Sequence, residues 1–426
     1  MSITTGDGVS TTGAEDALSV TGVPGNGEVT ALPEARATEL PAPLEPALEL
    51  PSDFRFDAVH AKPTTPPGAS PDLGPLAHFK GTFVGNGFNQ IFRPDSPETP
   101  TVLPVPVGGS DNILELNLTR ETLSFSKSLG SVPNRGSVQR DAFLNGVPYL
   151  QTINDVTTGR KIGIHFEPGM WIIVPPTKDP HEGSTLARMA SIPHGTTINA
   201  QGVFSQHAGP PVIGHQNITP FAEGQPNNHI PFPSQQATDH GTPRIPQDLT
   251  PFINNGTIDQ SILDDPNQAL REAIQGLDIT HTITINIATD PASPLFGGGT
   301  DNIAFLWGDA AAVHSANPSG QNAQALKMNA TFWIETVERT ITVHDLKAGQ
   351  VATVRPAATG RRQPVPSFRV RAPKAITAPV QIKVSYTQIQ YSQRVILNFA
   401  GLGWPHVSVA TLVPQAPIAV PATAFS

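Results

Sequence analysis

The chain has 426 residues, of which 45 are proline, 37 glycine and none cysteine, with 14% charged residues and a formal net charge of −9. The missing cysteine excludes disulfides, thiolate metal sites, iron–sulfur clusters and a cysteine nucleophile, so any metal must rest on histidine, carboxylate or backbone oxygen. No apolar run approaches the ~20 residues of a membrane helix, and the amino end (MSITTGDGVSTTGAEDALSV) lacks the basic start and apolar stretch of a secretion signal, so the sequence reads as soluble and cytoplasmic with no membrane span.

Residues 1–75 hold 11 acids, 3 bases and 11 prolines. Their most apolar piece, Leu40 to Leu50, is interrupted by Pro41, Pro43 and Pro46. Such a segment buries too little surface to offset its ordering entropy, so 1–75 is expected to be a disordered, acidic, proline-rich arm. The other 24 acids and 23 bases nearly cancel. Without a basic stripe to track phosphates, a nucleic-acid partner is not expected.

From His78 onward, short alternating runs are separated by Gly, Pro and Asn, the pattern of half-buried strands. Lys80 to Ile91 opens the series. Ile113 to Leu118 and Thr122 to Phe125 follow, read as two strands about a turn. Then come Tyr149 to Ile153, Lys161 to Phe166, Met170 to Val174, Leu186 to Ile192 and Thr196 to Phe204. A Pro-, Gly-, His- and Asn-rich stretch follows to Ile258; its Phe204, Phe221, Phe232 and Phe252 suit a cover docked on the domain. One helix is expected, Pro266 to Gln275, with Asp265 as cap, Pro266 in the first helical position and Gly276 as stop. Strands resume at Thr280 to Ala288, Ile303 to Trp307 and Leu326 to Val337. A second Pro-rich interruption, Arg355 to Pro373, precedes Val380 to Phe399 and His406 to Val413. The expected organisation is an arm at 1–75, a β-barrel domain at 76–415 with an insertion at about 205–278, and a tail at 416–426.

Many antiparallel strands with one short helix leave a closed barrel or a β-sandwich. In the run Tyr386 to Phe399, Ile389, Tyr391, Val395, Leu397 and Phe399 share one face. Gln388, Gln390, Ser392, Arg394 and Asn398 share the other. Parity does not decide whether that polar row faces solvent or a wet lumen.

Three blocks, in order, resemble the calycin group and within it the intracellular haem-binding barrels of the nitrobindin type. Phe79 to Gly87 (FKGTFVGNG) is similar to their opening strand, with Phe83 where tryptophan is usual. Ile164 to Trp171 (IHFEPGMW) is similar to their His-x-Glu-x-Gly-x-Trp strand pair. Pro405 to Leu412 (PHVSVATL) is similar to their last strand, whose histidine ligates haem iron. The resemblance covers about a third of the body and implies an all-β, antiparallel calycin- or lipocalin-like barrel with long loop insertions. It also implies haem as cofactor and His406 as the iron ligand.

His406 follows the turn Gly403-Trp404-Pro405 and shares a strand face with Ser408, Ala410 and Leu412, small enough in part to leave room beside a flat ligand. Trp404, Ser408 and Ala410 are therefore candidate cofactor-binding residues. Against this stands the commoner fate of a strand-end histidine, a hydrogen bond to a nearby loop. His165 and Glu167 lie two apart on one strand face and can pair, which suits acid/base work if that face lines the lumen and is a weak surface pair if it does not. His194, at the tip of a Pro193–Gly195 turn, is a rim candidate. His207, His215, His229 and His240 are 8, 14 and 11 residues apart, too irregular for a compact metal site. Gly85-Asn86-Gly87 reads as close strand packing, and Gly297 to Gly299 precedes no helix that could hold phosphate.

Three functions remain open on sequence: a barrel binding haem or another flat, apolar small molecule; an enzyme, either haem-dependent and peroxidase-like or a cofactor-free barrel doing acid/base chemistry with His165 and Glu167; and a ligand-free β-sandwich interaction protein. Oligomeric state leaves no mark in the sequence.

Overall fold

A computed structural model describes residues 72–307 and 322–425. The expected arm lies outside the described residues, except for 72–75. Ten strands form a closed antiparallel barrel, which removes the sandwich alternative. They are β1 (Gly81–Pro94), β2 (Asn112–Phe125), β3 (Ala142–Asp155), β4 (Ile162–Val174), β5 (Thr185–Ile192), β6 (Thr196–Ala208), β7 (Asp278–Ala288), β8 (Gln324–Val343), β9 (Val380–Phe399) and β10 (Leu402–Pro414). Each strand pairs with the next in sequence, and β10 returns to β1, with Gly87 opposite Ala410 and Asn89 opposite Ser408.

Closing the sheet forces tight contacts where β1 crosses β10. A Cβ on Gly85 would lie 1.9 Å from the Thr411 carbonyl oxygen, so glycine here is a matter of space.

Four expectations change in detail. The two runs about Arg120–Glu121 form one strand, because that charged pair is not a turn: Arg120 points outward and Glu121 inward. His165 to Trp171 likewise lies within the single strand β4, with Pro168 and Gly169 inside it. Ile303 to Trp307 is not a strand. The short strand Gly299–Asn302 pairs with β6, and a helical turn, Ala304–Trp307, follows it. Asn302 ends the pairing by accepting from Thr196 Oγ1 (2.8 Å) and the Ala325 amide (3.1 Å).

The expected helix at Pro266 to Gln275 is shorter, and two unexpected ones precede it: α1 (Thr250–Asn255), α2 (Gln260–Asp264) and, in the expected place, α3 (Gln268–Ala273). Pro266 stands before α3 rather than inside it, and Asp265 Oδ1 accepts from the Asn267 amide at 3.1 Å.

The insertion runs against the outside of the barrel. Phe221 pairs with Gly403, and Phe232 packs 5.8 Å from Phe92 and 5.2 Å from Trp404, ring centre to ring centre. Arg244 organises it from within. Its guanidinium donates to the carbonyls of Ser234 (2.8 Å), Gln236 (2.7 Å), Asp239 (2.7 Å) and Gln247 (2.9 Å). The polar row of β9 therefore faces outward yet is covered. Gln388, Gln390 and Ser392 are buried, and Gln390 Nε2 donates to the Leu270 carbonyl at 3.0 Å.

The far halves of β8 and β9 build a second core with Phe368, Val370 and Ile376. A small sheet of Val351–Val354, Phe368–Arg371 and Ile418–Ala419 closes it, so part of the 416–426 segment is paired.

Candidate functional site

Strand parity sorts the barrel interior into three layers. At one end, Phe79, Phe83, Phe125 and Trp171 pack together beside the short helix Gly74–His78. Phe79 stacks on Phe125 at 4.5 Å, and this end is solid.

The middle layer is polar, and two carboxyls anchor it. Glu167 Oε1 accepts from Arg188 Nη2 at 2.5 Å and from the Tyr149 hydroxyl, while its Oε2 lies 3.0 Å from His165 Nε2. Arg188 also donates to the Tyr149 hydroxyl oxygen (2.8 Å) and to Gln393 Oε1 (2.7 Å), and its guanidinium lies 5.3 Å from the centre of the Phe332 ring. Burial works to raise the Glu167 carboxyl, but the Arg188 charge and the His165 and Tyr149 hydrogen bonds hold it down to about 2.

Among the described residues no Lys or Arg pairs with Glu121. Its Oε2 accepts from the Tyr391 hydroxyl (2.6 Å) and Gln151 Nε2 (3.3 Å), and its Oε1 from Thr119 (2.8 Å). Burial outweighs these bonds and raises it to about 7.

Three imidazoles gather in the third layer. His406 on β10 shares the inward face with Ser408 and Ala410, and His165 comes from β4, across the barrel in strand order. His194, at the tip of the β5–β6 turn, places its ring centre 5.6 Å from that of His165. The sequence candidates His165, His194, His406 and Ser408 thus belong to one end of the barrel interior, with Glu167 and Ala410 in the polar layer beside it. Trp404 is set differently. It has no exposure, stacks on Phe399 at 4.6 Å, touches Phe92 and Phe232, and donates from Nε1 to the Phe399 carbonyl at 2.9 Å. It braces the turn that delivers His406.

The His406 ring keeps some accessible surface, yet burial pushes its pKa down to about 3, with His165 and His194 adding to the shift. His194 is exposed at the rim; burial and then the His165 charge lower its pKa as well.

Burial favours the neutral form of His406, which carries a lone pair on one ring nitrogen. Its Nε2 lies 2.8 Å from Asn89 Nδ2, which also donates to Ser408 Oγ at 2.7 Å, while Asn89 Oδ1 accepts from Asn117 Nδ2 at 3.3 Å. Turning over both amides keeps every contact and moves the imidazole proton from Nδ1 to Nε2. The ring is thus held by a neutral partner able to serve either tautomer, as an outer-shell group on a ligating histidine does. Among the described residues no three His, Asp or Glu side chains form a bare metal site, so an iron here would bring its other ligands with it.

Arg188, Glu121, Tyr149, Tyr391 and Asn89 escaped the sequence reading. A parity signal existed for two of them. Arg188 shares its strand face with Leu186, Ala190 and Ile192, and Glu121 shares its own with Leu123 and Phe125. A charge on an otherwise apolar strand face marks a buried network.

No protein-family model, curated protein or solved structure matches the chain. Its geometry is that of a closed ten-stranded antiparallel barrel compatible with the calycin group.

Proposed function

We propose that this protein is a nitrobindin-type barrel that takes haem, or a similarly flat apolar molecule, into the histidine end of its lumen, with His406 as the iron ligand. The observation that carries the reading is His406 itself: an inward-facing imidazole, kept neutral by burial, opposite two further histidines. Haem would supply the redox-active iron. The chain's residues bind and orient: Asn89, itself bonded to Ser408, holds the His406 ring, and the solid aromatic end limits depth.

The direct test is an absorption spectrum of the purified full-length protein after haem reconstitution. A Soret band that disappears in His406→Ala and persists in His165→Ala supports the assignment. No band, or an unchanged band in His406→Ala, overturns it.

A second reading, peroxide reduction, is favoured by the pairing of His165 with Glu167. Reduction of hydrogen peroxide to two waters consumes two electrons and two protons, the electrons coming from an external organic reductant. His165, oriented by the ionised Glu167, would take a proton from the bound peroxide and return it to the departing oxygen. Peroxide turnover with such a donor that falls at least tenfold in His165→Ala, with the Soret band retained, supports this role. Equal turnover in the variant removes it.

A further inference from the structure

A second cavity lies outside the barrel, between the outer wall of β1, β2 and β10 and the helices of the insertion. Its volume is about 280 Å³, and Leu118, Val156, Ala269, Leu270 and Val409 give it a mainly apolar lining. Such a volume sits near the lower end of small-molecule sites, roughly 300–1,000 Å³.

Two consecutive arginines, Arg361 and Arg362, stand at this cleft, and their charges are handled differently. Arg362 is half-buried and satisfied. Its Nε donates to Glu272 Oε2 at 3.0 Å, and its Nη2 donates to the carbonyls of Gly256 (3.1 Å) and Thr257. Arg361 is exposed, its Nη1 donates to the Gly256 carbonyl at 3.2 Å, and among the described residues no carboxylate pairs with it.

The backbone is shaped to hold the pair there. Gly256 ends α1 in the left-handed region (φ 68°), and a Cβ on it would lie 2.1 Å from Arg361 Nη1. Arg362 itself has φ 63°, a conformation costing a non-glycine residue ~1–2 kcal/mol. A guanidinium with no carboxylate partner beside an apolar hollow is the recognition pattern for an anion on a hydrocarbon stem, because the fork of donors matches a carboxylate while the wall buries the chain.

We propose that this outer cleft binds a small carboxylate-headed amphiphile, with Arg361 taking the head and the Leu118–Leu270–Val409 wall the stem. The site is separate from the lumen and does not depend on haem.

Calorimetric titration of the full chain with octanoate and with 1-octanol tests it. Octanoate is expected to bind at least fivefold more tightly than the alcohol, and Arg361→Gln to weaken octanoate about tenfold while leaving the alcohol unchanged. Octanoate affinity should be the same in His406→Ala and in protein saturated with haem. Equal binding of acid and alcohol, octanoate affinity unchanged in folded Arg361→Gln (circular dichroism as check), or displacement by haem each overturns the proposal. A Soret band that fails to form would remove the lumen assignment and leave this one standing.

Discussion

His165 Nε2 lies 3.0 Å from Glu167 Oε2, while the other oxygen of that carboxylate is held 2.5 Å from Arg188. One buried acid therefore orients an imidazole and neutralises a guanidinium at once. The cost of burying charge is met inside a closed group, and its members depend on one another.

Removing one member exposes that dependence. Arg188→Met should destabilise the protein by about 3–5 kcal/mol, because it leaves the Glu167 carboxylate buried without its cation. The double variant Arg188→Met/Glu167→Gln should lose clearly less than the two single losses combined. Urea unfolding of the four proteins measures the coupling, and strict additivity would rule it out.

Glu121 titrates near neutrality and leaves a signature in the stability curve. Its folded value of about 7 lies above its ordinary 4.5, so the folded state holds the proton more tightly. The resulting stabilisation is full below pH 4.5 and is lost as pH rises through 7. Glu335, raised by burial to about 8 beside Gln388, continues the decline to higher pH. The melting temperature should fall between about pH 5 and 8, and Glu121→Gln should flatten the lower part of the slope. Calorimetry across that range decides.

His406 predicts the opposite slope in acid. A base lowered from 6.5 to about 3 stabilises the fold above pH 6.5, and that contribution drains away as pH falls through 3. Glu121 and Glu335 act in the opposite sense over the interval between 6.5 and 4.5, so the histidine's share is the difference between the parent protein and His406→Gln there. As pH falls from 6.5 to 4.5, the urea midpoint of His406→Gln should rise more steeply than that of the parent protein, and equal slopes would rule the contribution out.

At the seam, Gly85→Ala should cost about 3 kcal/mol by forcing β1 and β10 apart, and it should reduce haem uptake because His406 rides on the displaced strand. A melting temperature within a degree of the parent would show that the strands can separate freely.

The docked insertion is the remaining target. Phe232→Ala should remove about 2 kcal/mol and open the 209–277 segment to protease, since that ring packs against Phe92 and Trp404. An unchanged cleavage pattern would mean that Arg244 and its carbonyl partners hold the segment by themselves.

Period-two alternation made the barrel strands legible, and alternation survives wherever one face packs and the other is wetted. It misled at Arg120–Glu121 and at Pro168–Gly169, where charge or turn-forming residues sit inside strands. It could not choose the inward face of His165, because the opposite face of β4 is apolar throughout (Ile162, Ile164, Phe166, Met170 and Ile172) and is nevertheless the outward, half-buried one. The three histidines were visible one at a time. Their meeting was not, since His406 and His165 are set opposite by barrel closure, a relationship spread over the whole domain. The layer of Arg188, Glu121 and Tyr391 stayed hidden because its partners come from five separate strands.

The meander order carries a consequence for how the molecule is made. Every strand can dock on the one synthesised before it, so most of the wall is assembled from neighbours as the chain emerges. Only the β1–β10 seam must wait, and until then the nascent sheet keeps two unpaired edges. His406 lies on the strand that seals the seam. The ring and the wall it faces come together in the final step, so a ligand too broad for the finished mouth has its widest opening just before the barrel shuts.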